Sequence, residues 1–398
     1  MRAVKDFIKA RIKDVVFWGV FPFVYKRAVR RTSVTPGSAL FLGRNAAEMP
    51  DSFALLYKRF EQEKGPEPQF LSLGYGRLKL VPYYLNCISA VKELAKYRYI
   101  FLDDASDVVS CLPLRSETDV IQLWHACGAF KKWGMSTGDL LFGGTKAEKR
   151  RHPYYENLSL VTISSPAIKW AYAEAMDLEG RDSIILPLGT SRTDVFFDEG
   201  FVSTAREAVA AVVPGIVGRK VVLYAPTFRG SATHAQAPDA LDVACMRNEL
   251  GADYVLLIKH HPFAKNRPTI PEGCEQFAFD VTDDLPIDQL LCVADVCISD
   301  YSSLVFEYSL FERPMAFFAY DKADYDDWRG FYYDYDELTP GPVVATTEEL
   351  IAYIKQAASG FDASEVRAFR DRFMSACDGH STDRIFDYVT GVLGAVGK

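Results

Sequence analysis

Past Thr32 the chain alternates short apolar runs ending in polar or glycine residues with longer stretches whose apolar positions recur at helical spacing. Strands alternating with helices predict a parallel sheet covered by helices. In the first half the strand-like runs are SALFLG (38–43), QFLSLG (69–74), YRYIFLDD (97–104), DVIQLWH (119–125), LSLVTISS (158–165) and SIILPLG (183–189). The second half repeats the pattern with KVVLYAPT (220–227), YVLLIKHH (254–261), FAFDVT (277–282), DVCISD (295–300) and PMAFFAY (314–320). Between the halves, residues 198–218 hold a helical stretch and then VPGIVG, which reads as a hinge. The pattern predicts an α/β fold of two Rossmann-like, doubly wound domains facing a cleft, over residues 33–200 and 201–375, with ligands at the carboxyl ends of the strands. Residues 376–398 are expected to form a C-terminal helix that packs back on the first domain.

The head of the chain follows another rule. Val4, Ile8, Ile12 and Val15 recur near helical spacing with Lys5, Lys9 and Lys13 between them, and Val15 to Tyr25 is apolar and aromatic. That stretch is too short to cross a bilayer, which takes about 20 residues. No small-residue cleavage site follows and Lys26 to Arg31 close the stretch with charge, so a removable signal peptide fits poorly. Residues 1–32 are expected to form a basic amphipathic segment in the headgroup layer of an anionic membrane, peripheral and on the cytoplasmic face. The plainer alternative is an amphipathic helix docked on the protein's own surface.

Charge sharpens this picture. Residues 1–31 carry nine Lys and Arg against Asp6 and Asp14, a formal +7, while the remaining 36 basic and 51 acidic residues leave −15 of the total −8. A body so acidic argues against nucleic acid as a partner. Eight cysteines are scattered without a CxxC pair, the usage of reduced thiols and not of a disulfide framework or a zinc site. A length of 398 residues suits two domains better than one.

Polar residues gather where the predicted strands end. His125 closes its strand in QLWHACGAFKKWG, ahead of Gly128 and the pair Lys131 and Lys132; Lys259, His260 and His261 close another run; Thr227 and Arg229 follow YAP; Asp300, Ser302 and Ser303 follow CIS, which ends in Ser299; Arg329 lies in WRGFYYDY. Taken singly, a histidine is more often a satisfied structural group. Cations, histidines and hydroxyls at parallel positions point instead to a phosphate site. Neither GxGxxG nor GxxxxGK[ST] is present, which disfavours a dehydrogenase and a P-loop NTPase. Ser302 and Ser303 open a predicted helix, where free N–H groups and the dipole attract an anion; a plain capping role for Asp300 or Ser302 is the alternative.

Six stretches in order, LWHACGAFKKWG, GTSRTD (189–194), YAPTFRG (224–230), KHHP (259–262), SDYSSLVFEYSLFERPMAFFAYD (299–321) and RGFYYD (329–334), with PGPVV downstream, resemble the CDP-glycerol glycerophosphotransferase family, which primes or polymerises teichoic acids and some capsules. The resemblance implies a GT-B fold, an alditol-phosphate transferase using CDP-glycerol or CDP-ribitol, and a lipid-linked acceptor. Carried over, the Trp-His motif falls on Trp124 and His125, making His125 the general base. Lys-x-His-Pro falls on Lys259, His261 and Pro262, and Ser-Asp-Tyr-Ser-Ser falls on 299–303. Catalytic roles then go to His125 and His261, and substrate binding to Lys259, Thr227, Arg229, Ser299, Asp300, Ser302, Ser303, Glu307, Arg329, Gly128 and Lys131. The His-Ala-x-Gly form at His125 is closer to polymerases and ribitol-phosphate enzymes than the more common His-Gly-Thr.

The implied chemistry needs a base to deprotonate an alcohol, worth roughly 10²- to 10⁴-fold, and cations to offset charge on the departing pyrophosphate. No cofactor is required. Asp103 with Asp104 and Asp283 with Asp284 could hold a divalent cation but read better as strand ends, so a metal is not expected. A thiol nucleophile at Cys127 is disfavoured, and self-association is left open. Two other readings share the fold or the pocket: a GT-B glycosyltransferase that releases a nucleoside diphosphate, and a catalytically silent membrane-bound assembly factor.

Overall fold

The computed structural model describes residues 10–140, 144–230, 235–323, 325 and 330–391. They divide into two compact units, one drawn from Met1–Ala126, Trp133–Asp194 and Ala376–Lys398, the other from Cys127–Lys132 and Val195–Ser375.

In the first unit β1 (Thr35–Gly43), β2 (Gln69–Ser72), β3 (Tyr97–Leu102), β4 (Asp119–Gln122), β5 (Leu160–Thr162) and β6 (Ile185–Leu186) form one sheet in the order β2-β1-β3-β4-β5-β6. Every pairing is parallel. Residues 39–43 of β1 and 99–102 of β3 are buried throughout, which is why those runs lack a polar alternation: both faces of the sheet are covered. Phe41 stacks on Phe101 at 4.6 Å and meets Phe53, Tyr57 and Phe60 of the helix Asp51–Glu61 edge-on. The C-terminal helix Ser381–Thr390 joins this core through Ile385 and Phe386, with Phe386 4.8 Å from Phe60.

The second unit repeats the plan. β7 (Lys220–Tyr224), β8 (Tyr254–Ile258), β9 (Ala278–Asp280), β10 (Val296–Ser299), β11 (Met315–Phe318) and β12 (Val343–Val344) pair in parallel in the order β12-β11-β10-β7-β8-β9. Its core gathers Val222, Leu256, Ile298 and Phe318 from four strands under Leu350 and Ile354 of the helix Thr347–Ser359. In each sheet the strand order reverses once, between β1 and β3 in the first and between β7 and β10 in the second. Such switch points leave a crevice at the carboxyl ends where neighbouring connections diverge.

Two features depart from the sequence reading. β12 is only two residues long and carries no periodicity to detect. Residues 127–132, directly after His125, belong to the second unit: Lys131 bridges Phe331, Lys132 N–H donates to the Gly330 carbonyl at 3.0 Å, and Gly128 lies at φ +63° where a Cβ would come 2.4 Å from the Phe306 ring. Glycine is therefore required there by close packing as well as by backbone conformation.

The described part of the head is helical from Ala10 to Val29, with Val16–Val20 wound as a π-helix. Phe17, Phe21 and Tyr25, four residues apart, are buried, and the helix packs on Leu80–Leu94. Lys13 pairs with Asp107 at 3.0 Å, and Asp14 takes Arg151 and His152. Val15 (64%), Trp18 (49%) and Phe23 (67%) stay exposed, Trp18 while stacking on His152 at 6.1 Å, so the docked segment keeps apolar surface outward. Among the described residues no helix is long and apolar enough to cross a membrane.

Candidate functional site

His125 stands just past β4 on a strained turn. Gln122, fully buried, donates from Nε2 to the Asp104 carbonyl at 3.1 Å, and its Oε1 accepts from Trp124 N–H at 3.1 Å. Trp124 adopts φ +59°, the left-handed region that a bulky residue enters only where its surroundings hold it. Those surroundings are aromatic: the Trp124 indole stacks on Trp133 at 4.3 Å and 27° and on the His125 imidazole at 4.5 Å and 29°. Trp133 is in turn held edge-on by Tyr172 at 5.3 Å.

The imidazole is exposed, and its Nδ1 lies 2.8 Å from the Asp103 carbonyl oxygen. A carbonyl only accepts, so Nδ1 carries the hydrogen and Nε2 keeps its lone pair. That is the tautomer a general base needs. The Asp103 side chain is buried, its Oδ1 has no partner, and burial followed by the neighbouring charge of Asp104 pushes its carboxyl up to about 6.

In the second unit Asp300 is the centre of a closed network. Its carboxylate accepts from Thr227 N–H at 2.9 Å, Tyr301 N–H at 2.6 Å and Arg229 Nη1 at 2.9 Å, while its carbonyl takes the Tyr335 hydroxyl. Arg229 also forks onto Asp321 through Nε and Nη2 and reaches the carbonyl and hydroxyl of Thr227. Burial disfavours its charge, but Asp300 and Asp321 outweigh that and raise its pKa. The guanidinium expected to meet a phosphate pairs with two carboxylates of the protein, and there it fixes the ends of β7 and β10.

The same holds for two other expected contacts. Lys259 donates from Nζ to the carbonyls of Thr282 (2.6 Å) and Leu285, tying down the approach to the helix Ile287–Val293, and burial lowers its pKa. Ser299 Oγ donates to the Ala225 carbonyl at 2.7 Å and is fully buried. Glu307 is buried with Cys127 Sγ 3.7 Å from its Oε1, inside the contact that Gly128 makes with Phe306. Lys131 is half-buried, its Nζ 6.0 Å from the Tyr325 ring. Arg329 lies outside the described residues.

Ser302 and Ser303 are half-buried at the start of Leu304–Tyr308, a helix of only five residues continued by a 3₁₀ turn. So short a helix carries little macrodipole, and neither serine makes the N-cap bond to N2 or N3. Ser302 Oγ accepts only a long 3.4 Å contact from Leu304 N–H, which leaves its O–H to turn toward a ligand. His261, half-buried past β8, accepts at Nδ1 from Phe263 N–H at 3.2 Å, which puts its hydrogen on Nε2. Phe228 and Phe263 hold the ring edge-on at 4.8 and 4.9 Å. Its neighbour His260 is buried with Nδ1 unpartnered, and burial lowers its pKa.

The paired carboxylates disperse: Asp104 faces Arg44 at 3.5 Å and Asp283 takes Arg267. Among the described residues no three His, Cys, Asp or Glu converge as a metal cluster.

The family model for CDP-Glycerol:Poly(glycerophosphate) glycerophosphotransferase matches residues 24–391. The chain is 33% identical over 380 residues to the teichoic acid ribitol-phosphate primase of Bacillus spizizenii, covering 94% of this chain and 96% of that protein. It is 36% identical over 301 residues to the teichoic acid ribitol-phosphate polymerase TarL of Staphylococcus aureus, 73% of this chain, and spans about half (51%) of that relative's length. The solved structure of the wall teichoic acid polymerase TagF shares the fold, with a TM-score of 0.75 at 21% identity over 99% of both chains.

Proposed function

The chain belongs to the CDP-glycerol:poly(glycerophosphate) glycerophosphotransferase family, and from that premise we propose that it moves ribitol phosphate from CDP-ribitol to a hydroxyl of a lipid-linked acceptor, releasing CMP. It is an alditol-phosphate transferase of teichoic acid synthesis with a GT-B type fold. The choice of ribitol rests on the two ribitol-phosphate relatives above and on the His-Ala-x-Gly form at His125.

The observation that carries the mechanism is the Nδ1 hydrogen bond of His125 to the Asp103 carbonyl. Nε2 takes the proton of the acceptor hydroxyl as its oxygen attacks the phosphorus bearing the alditol. The bond from that phosphorus to the CMP oxygen breaks, and CMP leaves with the electron pair. Within the second unit, His261, with its hydrogen on Nε2, and the hydroxyls of Ser302 and Ser303 are the donors suited to a phosphate. Arg229, Lys259 and Ser299 position this surface from behind.

Peripheral attachment to the cytoplasmic membrane face is part of the proposal. Val15, Trp18 and Phe23 supply exposed apolar area, with Lys26, Arg27 and Arg30 beside them for anionic headgroups. The decisive assay incubates the protein with CDP-ribitol and CDP-glycerol separately on a lipid-linked acceptor. We expect CMP and an extended acceptor from CDP-ribitol; absence of CMP from either donor overturns the reading, and CMP from CDP-glycerol alone overturns the choice of alditol.

A further inference from the structure

The His125 imidazole is oriented by one backbone oxygen, so whatever fixes residue 103 fixes the base. Asp103 and Asp104 end β3 and lead through Ser106 into the four-residue helix Asp107–Ser110, which Ser106 caps. Gln122 holds this turn on one side, donating from Nε2 to the Asp104 carbonyl at 3.1 Å. On the other side Ser106 N–H donates to the Tyr154 carbonyl at 3.3 Å, which joins the turn to the loop after the helix Lys146–Arg151.

The head of the chain grips both halves of that second tie. Lys13 and Asp14 are consecutive on the head helix, about 100° apart around its axis, and carry opposite charges. Lys13 Nζ lies 3.0 Å from Oδ2 of Asp107, the first residue of the helix into which the turn runs. Burial disfavours the charge on Lys13, but Asp107 outweighs it and the pKa is raised. Asp14 reaches the other loop: its Oδ1 accepts from Arg151 Nε at 2.9 Å and lies 3.1 Å from His152 Nε2. Phe17 meets the His152 ring edge-on at 5.6 Å, and Trp18 stacks on it at 6.1 Å. The Asp107 and Asp14 side chains are only 13% and 18% exposed, so these are not loose surface pairs. A helix serving as a lipid anchor alone would aim its cations at headgroups. Here Lys13 is turned inward, and an acid beside it is put to use on the same side.

We propose that Lys13 and Asp14 are positioning residues for the base: docking of the head holds the turn at 103–106 so that the Asp103 carbonyl meets His125 Nδ1. The proposal rests on the transferase reading, in which Nε2 takes the acceptor's proton. Without the two pairs the turn loosens, the carbonyl leaves Nδ1, and the imidazole hydrogen is free to move to Nε2, where it occupies the lone pair that acts as base. The head then joins attachment, through its outward apolar residues, to activation, through its inward charged ones.

The test records long-range ¹⁵N–¹H correlations of the His125 ring in the full chain, at a pH where it is neutral, beside kcat and KM for CDP-ribitol. The variants are Lys13→Met, Asp107→Asn, Lys13→Met with Asp14→Asn, and the exchanged pair Lys13→Asp with Asp107→Lys, each with a thermal melt to confirm folding. We expect the hydrogen on Nδ1 in the wild type and a mixture of tautomers in both single variants, with kcat about two- to fivefold lower. The double variant should lose about tenfold, the exchanged pair should recover most of the loss, and KM should stay at the wild-type level throughout. A merely less stable chain would melt earlier yet keep the hydrogen on Nδ1 below its melting temperature. An unchanged tautomer in the folded double variant, or an exchanged pair no better than Lys13→Met, would overturn the proposal; if the double variant does not fold, the single variants and the exchanged pair decide it. A tautomer that shifts as expected in a protein releasing no CMP from either donor would uphold the link from head to imidazole and defeat the transferase reading. CMP release with His125 unaltered in every variant would do the reverse.

Discussion

His125 and His261 each follow the carboxyl end of a parallel strand, each carries aromatic contacts, and the backbone fixes them in opposite tautomers. In the first unit a carbonyl accepts from Nδ1 and leaves Nε2 a base. In the second a backbone N–H donates to Nδ1 and leaves Nε2 a donor. The same side chain at the same kind of position thus takes opposite proton roles, and the difference lies wholly in which backbone group meets Nδ1. Sequence alone shows histidines at strand ends; it cannot show that pairing.

The contrast is easiest to break at His125. His125→Ala should lower kcat by about 10²- to 10⁴-fold, the usual worth of a positioned general base, with donor affinity near wild type. A large loss of CDP-alditol binding would move His125 to the donor. His261→Ala should cost about 10²- to 10³-fold, as removal of a donor to developing charge does, and should fall on kcat while His261→Gln, which keeps an N–H, recovers part of it. Full activity in His261→Ala would leave only one of the two imidazoles with a proton role.

Asp300→Asn sharpens the view that the second unit's charges are internal. Removing one partner of a buried, hydrogen-bonded pair should destabilise the fold by about 3 kcal/mol in denaturant titrations. A variant as stable as wild type would show that Arg229 is not spent on Asp300. Asp103 gives the smallest effect and a pH signature. Its carboxyl is raised to about 6 from 3.8, so the folded state holds the proton more tightly than the unfolded chain, and stability falls as pH rises from about 4 to 6. Asp103→Asn should remove that slope and gain about 2–3 kcal/mol at pH 8 but little at pH 4. A pH-independent change would mean that the carboxylate is not desolvated.

All eleven apolar runs contain strands, because a fully covered parallel strand leaves a run of apolar residues that survives without context. The first run stops with β1 and misses its opening residues 35–37; the other ten pass the carboxyl end of their strand by one to three residues, where polar ends such as those at 123–125 and 259–261 continue the pattern into the loops that carry the site. The crossing of residues 127–132 into the second unit was illegible, since it depends on Gly128 fitting against Phe306, a contact between positions far apart in the chain. Charge sign was readable and charge partner was not. Arg229 and Lys259 read as phosphate ligands in sequence, and nothing in the sequence shows that they also meet carboxylates and carbonyls of the protein itself.

Long-range ¹⁵N–¹H correlation of the imidazole side chains at a pH where both rings are neutral reports directly which nitrogen carries each hydrogen, with His125→Gln and His261→Gln supplying the assignments. The account predicts the hydrogen on Nδ1 of His125 and on Nε2 of His261. The same tautomer at both positions, or a rapidly exchanging mixture at His125, would contradict it.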